Sequence, residues 1–272
     1  MSAHRINFLK DLEPRSLSEL AGYEEYVDLM HGWLRTESFP TSILLVGDIG
    51  VGKSIMATLL AKTAACLHRP TGSIQPCGKC VVCQAYDSTQ VPQLVGSRIV
   101  EKQFGDEIRL ARVNGPGRLW LWEHGRWYAL IVDEFHELPK QSQREIRAEL
   151  DYPWSDSFII GTCSTTKGID PALLNRMYPI YVQPPSKTPL IAWIESICRK
   201  TGIEVIDSKA AGLLADLTGG RFRAMKMCLQ RIYDTSGGKL AEDDVRKACR
   251  ACGYSPTEFA STRLHQRAEK RE

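Results

Sequence analysis

The sequence predicts an α/β protein, a phosphate-loop core with a parallel sheet followed by a small all-helical lid. Three observations carry that prediction. Short apolar runs at Ser42-Ile43-Leu44-Leu45-Val46, Tyr128-Ala129-Leu130-Ile131-Val132 and Ser157-Phe158-Ile159-Ile160-Gly161-Thr162 read as buried strands, because a parallel sheet covered on both faces needs continuous rather than alternating hydrophobicity. The first run leads straight into Gly47-Asp48-Ile49-Gly50-Val51-Gly52-Lys53-Ser54, which spells G-x-x-x-x-G-K-S. From Pro184-Pro185 onward the pattern turns helical.

In chain order, Leu17 to Leu34 carries a helix-compatible pattern through Leu20, Tyr23, Val27, Met30 and Leu34, broken by a turn near Ala21-Gly22. The strand at Ser42 to Val46 is followed by a helix from Ser54 to about Cys66, whose low β-branched content suits it. Val91 to Val100 is expected to hold a strand, Gly105 to Val113 to begin a helix, and Asn114-Gly115-Pro116-Gly117 to force a turn. Trp120, Trp122 and Trp127 flank His124-Gly125 and are expected to form a packed hairpin beside the next strand; base stacking is the competing reading. Beyond residue 184, helices are expected at Pro189 to Arg199, Ser208 to Leu217, Arg221 to Tyr233 and Ala241 to Cys249. The expected domains are a core at 1–184 with a cysteine-rich insertion at 66–83, a lid at 185–255 and a tail at 256–272, charged and core-less from Arg263 on.

With 43% hydrophobic and 25% charged residues in 272, the chain is neither fibrous nor disordered and is long enough for a larger and a smaller unit. No apolar run approaches the roughly 18 residues of a membrane span, and Met1 to Lys10 lacks the apolar stretch of a signal peptide. A soluble cytoplasmic protein with no membrane partner is expected. A net charge of +3 is too small to establish nucleic-acid binding by itself.

The glycine-rich run is read as a nucleoside triphosphate site. Its glycines let backbone N–H groups turn toward phosphate oxygens with no Cβ in the way, and the following helix adds the positive end of its dipole. Gly47, Asp48, Gly50, Val51, Gly52, Lys53, Ser54 and Ile55 form the expected cradle, with Lys53 reaching the β- and γ-phosphates and Ser54 completing a Mg2+ shell. Asp133-Glu134, at the end of the second apolar run, reads as a Walker B pair. Asp133 is expected to hold Mg2+ and Glu134 to polarise the attacking water. Thr162 ends the third strand, where its hydroxyl serves either to place that water or simply to cap the strand.

Nine cysteines divide unevenly. Cys66-x10-Cys77-x2-Cys80-x2-Cys83 is far denser than the rest, and Pro76 and Gly78 supply bends around its second member. Four thiolates from two short turns suit tetrahedral zinc in a closed structural site; an iron-sulfur cluster uses the same ligands, and four unrelated thiols are the third reading. Cys249-x2-Cys252 lacks a second pair nearby in sequence and reads as packing or surface.

Together these signals resemble the AAA+ ATPases, and among them the bacterial DNA polymerase III clamp-loader subunits called gamma and tau, over roughly residues 10 to 252. The cysteines inserted after the phosphate-loop helix are the most specific shared feature, and Ile131-Val132-Asp133-Glu134-Phe135-His136-Glu137-Leu138 is similar to the family's hydrophobic-Asp-Glu-x-His-x-Leu segment. The resemblance implies an adenine-side wall around Gly22 in Pro14 to Glu24, and a helix start at Gly105-Asp106-Glu107-Ile108-Arg109. It implies that Arg176, in Leu173-Leu174-Asn175-Arg176-Met177, is donated to a neighbouring subunit's ATP. It also implies that Arg223, in Thr218-Gly219-Gly220-Arg221-Phe222-Arg223-Ala224, reaches the phosphates from the lid. The sequence departs from the family at Cys163-Ser164, Asn175 and Met177, and no collar domain is expected.

The resemblance implies ATP, Mg2+ and Zn2+ as cofactors and an ATP-hydrolysing subunit of a homo- or hetero-oligomeric ring acting on DNA in replication, with sliding clamp, polymerase or transposase components as partners. Arg98, Lys102, Arg109 and Arg112 are candidates for phosphate contacts on DNA, solubilising charge being the other reading. A transposition regulator, a branch-migration motor and a non-catalytic ATP-binding adaptor are the alternatives.

Overall fold

A computed structural model describes residues 6–88, 98–99, 124, 126–151, 156–207, 209–235 and 238–254. The chain divides into two compact units, one of residues 14–49 and 53–183 and the other of residues 1–13, 50–52 and 184–272 in their described parts.

The first unit is built on a parallel sheet of β1 (Ser42–Val46), β2 (Arg98–Ile99), β3 (Tyr128–Val132), β4 (Ser157–Cys163) and β5 (Tyr178–Tyr181), in the order β2-β3-β4-β1-β5. Every residue of β1, β3 and β4 is buried, so the three apolar runs are the sheet's inner strands. Register sets Leu45 opposite Thr162 and Val132 opposite Gly161, which brings the C-terminal ends of these strands together. At the edge, β5 buries only Ile180 and carries Pro179, a residue that cannot donate to a further strand.

Among the described residues, helices α1 (Glu24–Thr36), α2 (Lys53–Ala65), α3 (Val81–Asp87), α4 (Lys140–Asp151) and α5 (Pro171–Leu174) accompany the sheet in this unit. α2 packs on β1, β3 and β4 and is flanked by α1 and α3. Ten of its thirteen residues are buried, Lys62 among them, so it is an inner helix rather than an amphipathic surface one. Lys62 is satisfied by Asp87 Oδ1 at 2.6 Å and the Arg15 carbonyl at 3.0 Å. Arg69, fully buried just after α2, donates to the carbonyls of Thr63, Leu34 and Ser73 and to Glu37, closing the cysteine-bearing loop onto α1 and α2. Trp127 lies against Phe39 and Phe158, with centroids 4.9 and 6.2 Å away. Trp120, Trp122 and the expected elements at 105–117 lie outside the described residues.

The second unit consists of α6 (Lys187–Thr201), α7 (Ala210–Thr218), α8 (Phe222–Thr235) and α9 (Glu242–Ala251), with a two-stranded parallel pair, β6 (Glu204–Val205) and β7 (Lys239–Leu240). Leu190, Ile194, Leu214, Met225, Leu229, Ile232 and Val245 form its core. Phe8 joins that core: it is fully buried, its N–H donates to Gln230 Oε1 at 2.9 Å, and its ring lies 5.6 Å from that of Tyr233. No helix among the described residues is long and apolar enough to cross a membrane.

Candidate functional site

The phosphate loop leaves β1 at Gly47, whose N–H bonds to the Cys163 carbonyl at 3.2 Å. A Cβ at Gly47 would lie 2.3 Å from the Val182 carbonyl oxygen, so any side chain here would force the backbone to shift. Gly50 and Gly52 take φ of 85° and 107°, the left-handed backbone that turns successive amides toward one side. Lys53 opens α2 with its side chain buried, and its Nζ donates to the carbonyls of Gly47 and Asp48 at 2.7 and 2.9 Å. Burial pushes the lysine below its ordinary value, and the nearby carboxylates of Glu134, Asp133 and Asp48 oppose that shift.

Asp133 is the meeting point of three elements. Ser54 Oγ on α2 donates to its Oδ1 at 2.7 Å, and Thr162 Oγ1 at the end of β4 donates to the same oxygen at 2.5 Å. Residues 54, 133 and 162, distant in sequence, thus form one hydroxyl-carboxylate-hydroxyl cluster beside Lys53. The donor set suits Mg2+, a hard cation that takes one or two protein oxygens and leaves its remaining positions to water and phosphate. Glu134 follows in a left-handed conformation (φ 50°, ψ 49°), its N–H 3.4 Å from Thr162 Oγ1 and its side chain 46% exposed. Gly22 makes the turn before α1 and donates its N–H to Glu24 Oε1 at 3.2 Å.

Arg176 lies apart from this cluster, just after α5. Its Nε donates to Asp151 Oδ1 at 2.7 Å and its Nη1 to the Ala172 carbonyl at 2.7 Å, so the guanidinium is held while staying 40% exposed. Arg223 belongs to α8 of the other unit. Of the suggested DNA-contacting residues, Arg98 is described only by its backbone in β2, and Lys102, Arg109 and Arg112 lie outside the described residues.

The four cysteines converge on a second centre, with their sulfurs all within 4.8 Å of one another. Cys66 Sγ and Cys80 Sγ are 4.0 Å apart, and Cys77 Sγ and Cys83 Sγ 3.9 Å. Four thiolates at about 2.3 Å from a tetrahedral ion stand about 3.8 Å apart, so the cluster is able to hold a metal with little movement. Backbone amides already point at sulfur: Cys77 N–H at Cys66 (3.2 Å), Cys80 N–H at Cys77 (3.3 Å) and Cys83 N–H at Cys80 (3.5 Å). Interaction with Cys83 holds the Cys66 thiol well below its ordinary value against the opposing effect of burial, and the same pair pushes Cys83 up.

With this geometry in place, similarity to known proteins decides the family. A family model described as DNA polymerase III, delta subunit, matches residues 22–185, more than half of the chain. The chain belongs to that family. It is also similar to the DNA polymerase III gamma subunit of Buchnera aphidicola (24% identity over 246 residues, 88% of this chain and 63% of that one). The gamma/tau subunit of Mycoplasma genitalium is 22% identical, covering 90% of this chain and 40% of its own. The chain therefore spans less than two thirds of the length of these relatives. Among solved structures, Thermotoga maritima RuvB, a Holliday junction branch migration motor, superposes with a TM-score of 0.60 at 17% identity over 88% of this chain and 72% of its own. The fold is mixed α/β, with a parallel-sheet, AAA+-like core and additional helices.

Sequence reasoning missed three residues around these centres. Asp151 holds Arg176, Arg69 braces the cysteine loop, and His136 faces Glu134 with its Nδ1 3.6 Å from Oε2. The Asp-Glu-x-His spelling carried the last signal, since a ring two positions after Glu134 in a tight turn can reach back to it.

Proposed function

We propose that this protein is an ATP-hydrolysing AAA+ subunit that works on DNA within an oligomer. The observation that carries the reading is the convergence of Ser54 and Thr162 on Asp133 beside a buried Lys53, at the mouth of a loop shaped for phosphates. ATP would bind with its phosphates against the loop amides, and Lys53 would exchange its bonds to the Gly47 and Asp48 carbonyls for phosphate oxygens. Mg2+ held by Ser54 and Asp133 would neutralise charge on the β- and γ-phosphates. Glu134 would take the proton of the attacking water as the water oxygen bonds to the γ-phosphorus and the bond from that phosphorus to the β–γ bridging oxygen breaks, with ADP as the leaving group. Arg176 of one subunit would stabilise charge at the next subunit's ATP, Gly22 would border the adenine, and Arg223 would report nucleotide state to the lid. The cysteine cluster would hold structural Zn2+, because four thiolates in a closed set leave no open position for chemistry.

The finer role divides in two. A clamp-loader subunit acting in replication, with a sliding clamp and polymerase subunits as partners, is supported by the family model and the gamma-type relatives. A branch-migration motor is supported at least as strongly by the backbone likeness to RuvB, which covers a larger share of that protein than of the gamma-type relatives. ATP turnover is the test, measured alone, with duplex or four-way-junction DNA, and with a sliding clamp. Turnover stimulated by the clamp supports the loader, and turnover stimulated by the junction supports the motor. Turnover must vanish in Glu134→Gln while ATP binding persists; no turnover under any of these conditions would leave a non-catalytic ATP-binding adaptor.

A further inference from the structure

The hydrolysis proposed above, on which this inference rests, needs the Glu134 carboxylate aimed at one water. Glu134 lies at the N-terminal end of a single 3-10 turn, Phe135–Glu137. That turn is anchored: Phe135 is fully buried, Glu137 N–H bonds to the Glu134 carbonyl at 2.8 Å, and the ring of Phe135 fills the space a Cβ on Gly161 would need. His136 projects from the same turn, with its side chain only 16% exposed. Its Nε2 lies 3.2 Å from Ser164 Oγ, just beyond β4. Its Nδ1 is buried without a hydrogen-bond partner and stands 3.6 Å from Glu134 Oε2.

This leaves one ring nitrogen satisfied and the other turned to the carboxylate just outside bonding distance. When the Ser164 hydroxyl donates to Nε2, the neutral ring carries its proton on Nδ1, the nitrogen that faces Glu134. We propose that His136 is a positioning residue for Glu134: seated by Ser164, it donates its Nδ1 proton to Oε2 and fixes the carboxylate's aim at the attacking water. The end of β4 then holds Glu134 twice, through Thr162 at its backbone N–H and through Ser164 and His136 at its side chain. A side-chain rotation closes the remaining few tenths of an ångström, and burial of the ring makes the bond strong once formed.

The test is steady-state ATP turnover in the assembled, DNA-containing complex, with ATP affinity and thermal stability measured on the same preparations. His136→Ala should lower kcat about 10- to 100-fold, the cost of a misaligned catalytic group, with ATP affinity nearly unchanged. His136→Asn places an amide N–H near the position of Nδ1 and should restore most of the loss. His136→Gln, whose amide overlies Nε2 instead, should not, and Ser164→Ala should show a smaller loss in kcat. The proposal is overturned if His136→Ala keeps wild-type kcat, or if Asn and Gln are equally damaging with kcat falling in step with stability. A wild-type complex that binds ATP without turning it over removes the proposed function and this inference with it.

Discussion

Stripping the metal from Cys66, Cys77, Cys80 and Cys83 should unfasten residues 66–88 while leaving the sheet in place. Two sulfur separations, 3.9 and 4.0 Å, sit within about 0.2 Å of the tetrahedral spacing for zinc, and all four sulfurs lie within 4.8 Å of one another, so only a small contraction is needed to seat the ion. A site occupied at about one hundred times its dissociation constant stabilises the fold by about 2.7 kcal/mol. For a unit of this size each kcal/mol is worth about 2–4 °C, so chelation or Cys80→Ser should lower the core's melting temperature by about 5–11 °C. The sheet is held by α2 packing, which does not need the metal, so far-ultraviolet circular dichroism should change little. Proteolysis should instead become selective for residues 66–88. Metal analysis, calorimetry and limited proteolysis on one sample read all three quantities. Zinc well below one per chain together with a melting temperature unmoved by chelator would refute the reasoning.

Other outcomes follow from local geometry. Gly47→Ala pushes a Cβ to 2.3 Å from the Val182 carbonyl and should cost the core roughly 1–3 kcal/mol by thermal denaturation while abolishing ATP binding. Gly161→Ala meets Phe135 at 2.8 Å and Leu44 at 2.9 Å, so a similar loss is expected, with lowered turnover because Phe135 seats the Glu134 turn. Arg176→Ala breaks an exposed pair with Asp151 and should cost less than about 1 kcal/mol of stability, yet lower assembled-complex kcat by about 10³-fold or more. Burial holds His31 below the ordinary histidine value of 6.5, helped by Arg35 and opposed by Asp28. The unfolded chain therefore takes up this proton more readily than the folded one. Stability should fall as pH drops below 6.5, and His31→Gln should flatten that slope in urea titrations at pH 7.5 and 5.5.

The legible parts of the sequence were those where one residue type has one physical use. Three unbroken apolar runs could only be strands buried on both faces, and they form the sheet's interior. Two short turns keep Cys77, Cys80 and Cys83 close together, and Cys66 at the end of the preceding helix joins them on one centre. Lys53, Ser54, Asp133 and Thr162 were readable as strand-end and loop-end chemistry, although their convergence on one carboxylate oxygen depends on strand order. Other features depend on contacts between distant segments. Arg69 reads as a surface arginine until four acceptors close around it, and Lys62 as a solvent lysine until Asp87 reaches it. Phe8 gave no sign in sequence that it would join the helical unit's core. The edge strand β5 escaped notice because Tyr178-Pro179-Ile180-Tyr181 is half exposed and contains a proline.

The most direct test of the nucleotide site is calorimetric titration of ATP into the protein with and without Mg2+, using wild type, Lys53→Ala and Asp133→Ala. The arrangement predicts one ATP per chain in wild type, tightened by Mg2+, with binding lost in Lys53→Ala and the Mg2+ dependence lost in Asp133→Ala. Equal ATP affinity in all three proteins, or no binding by wild type, would contradict it.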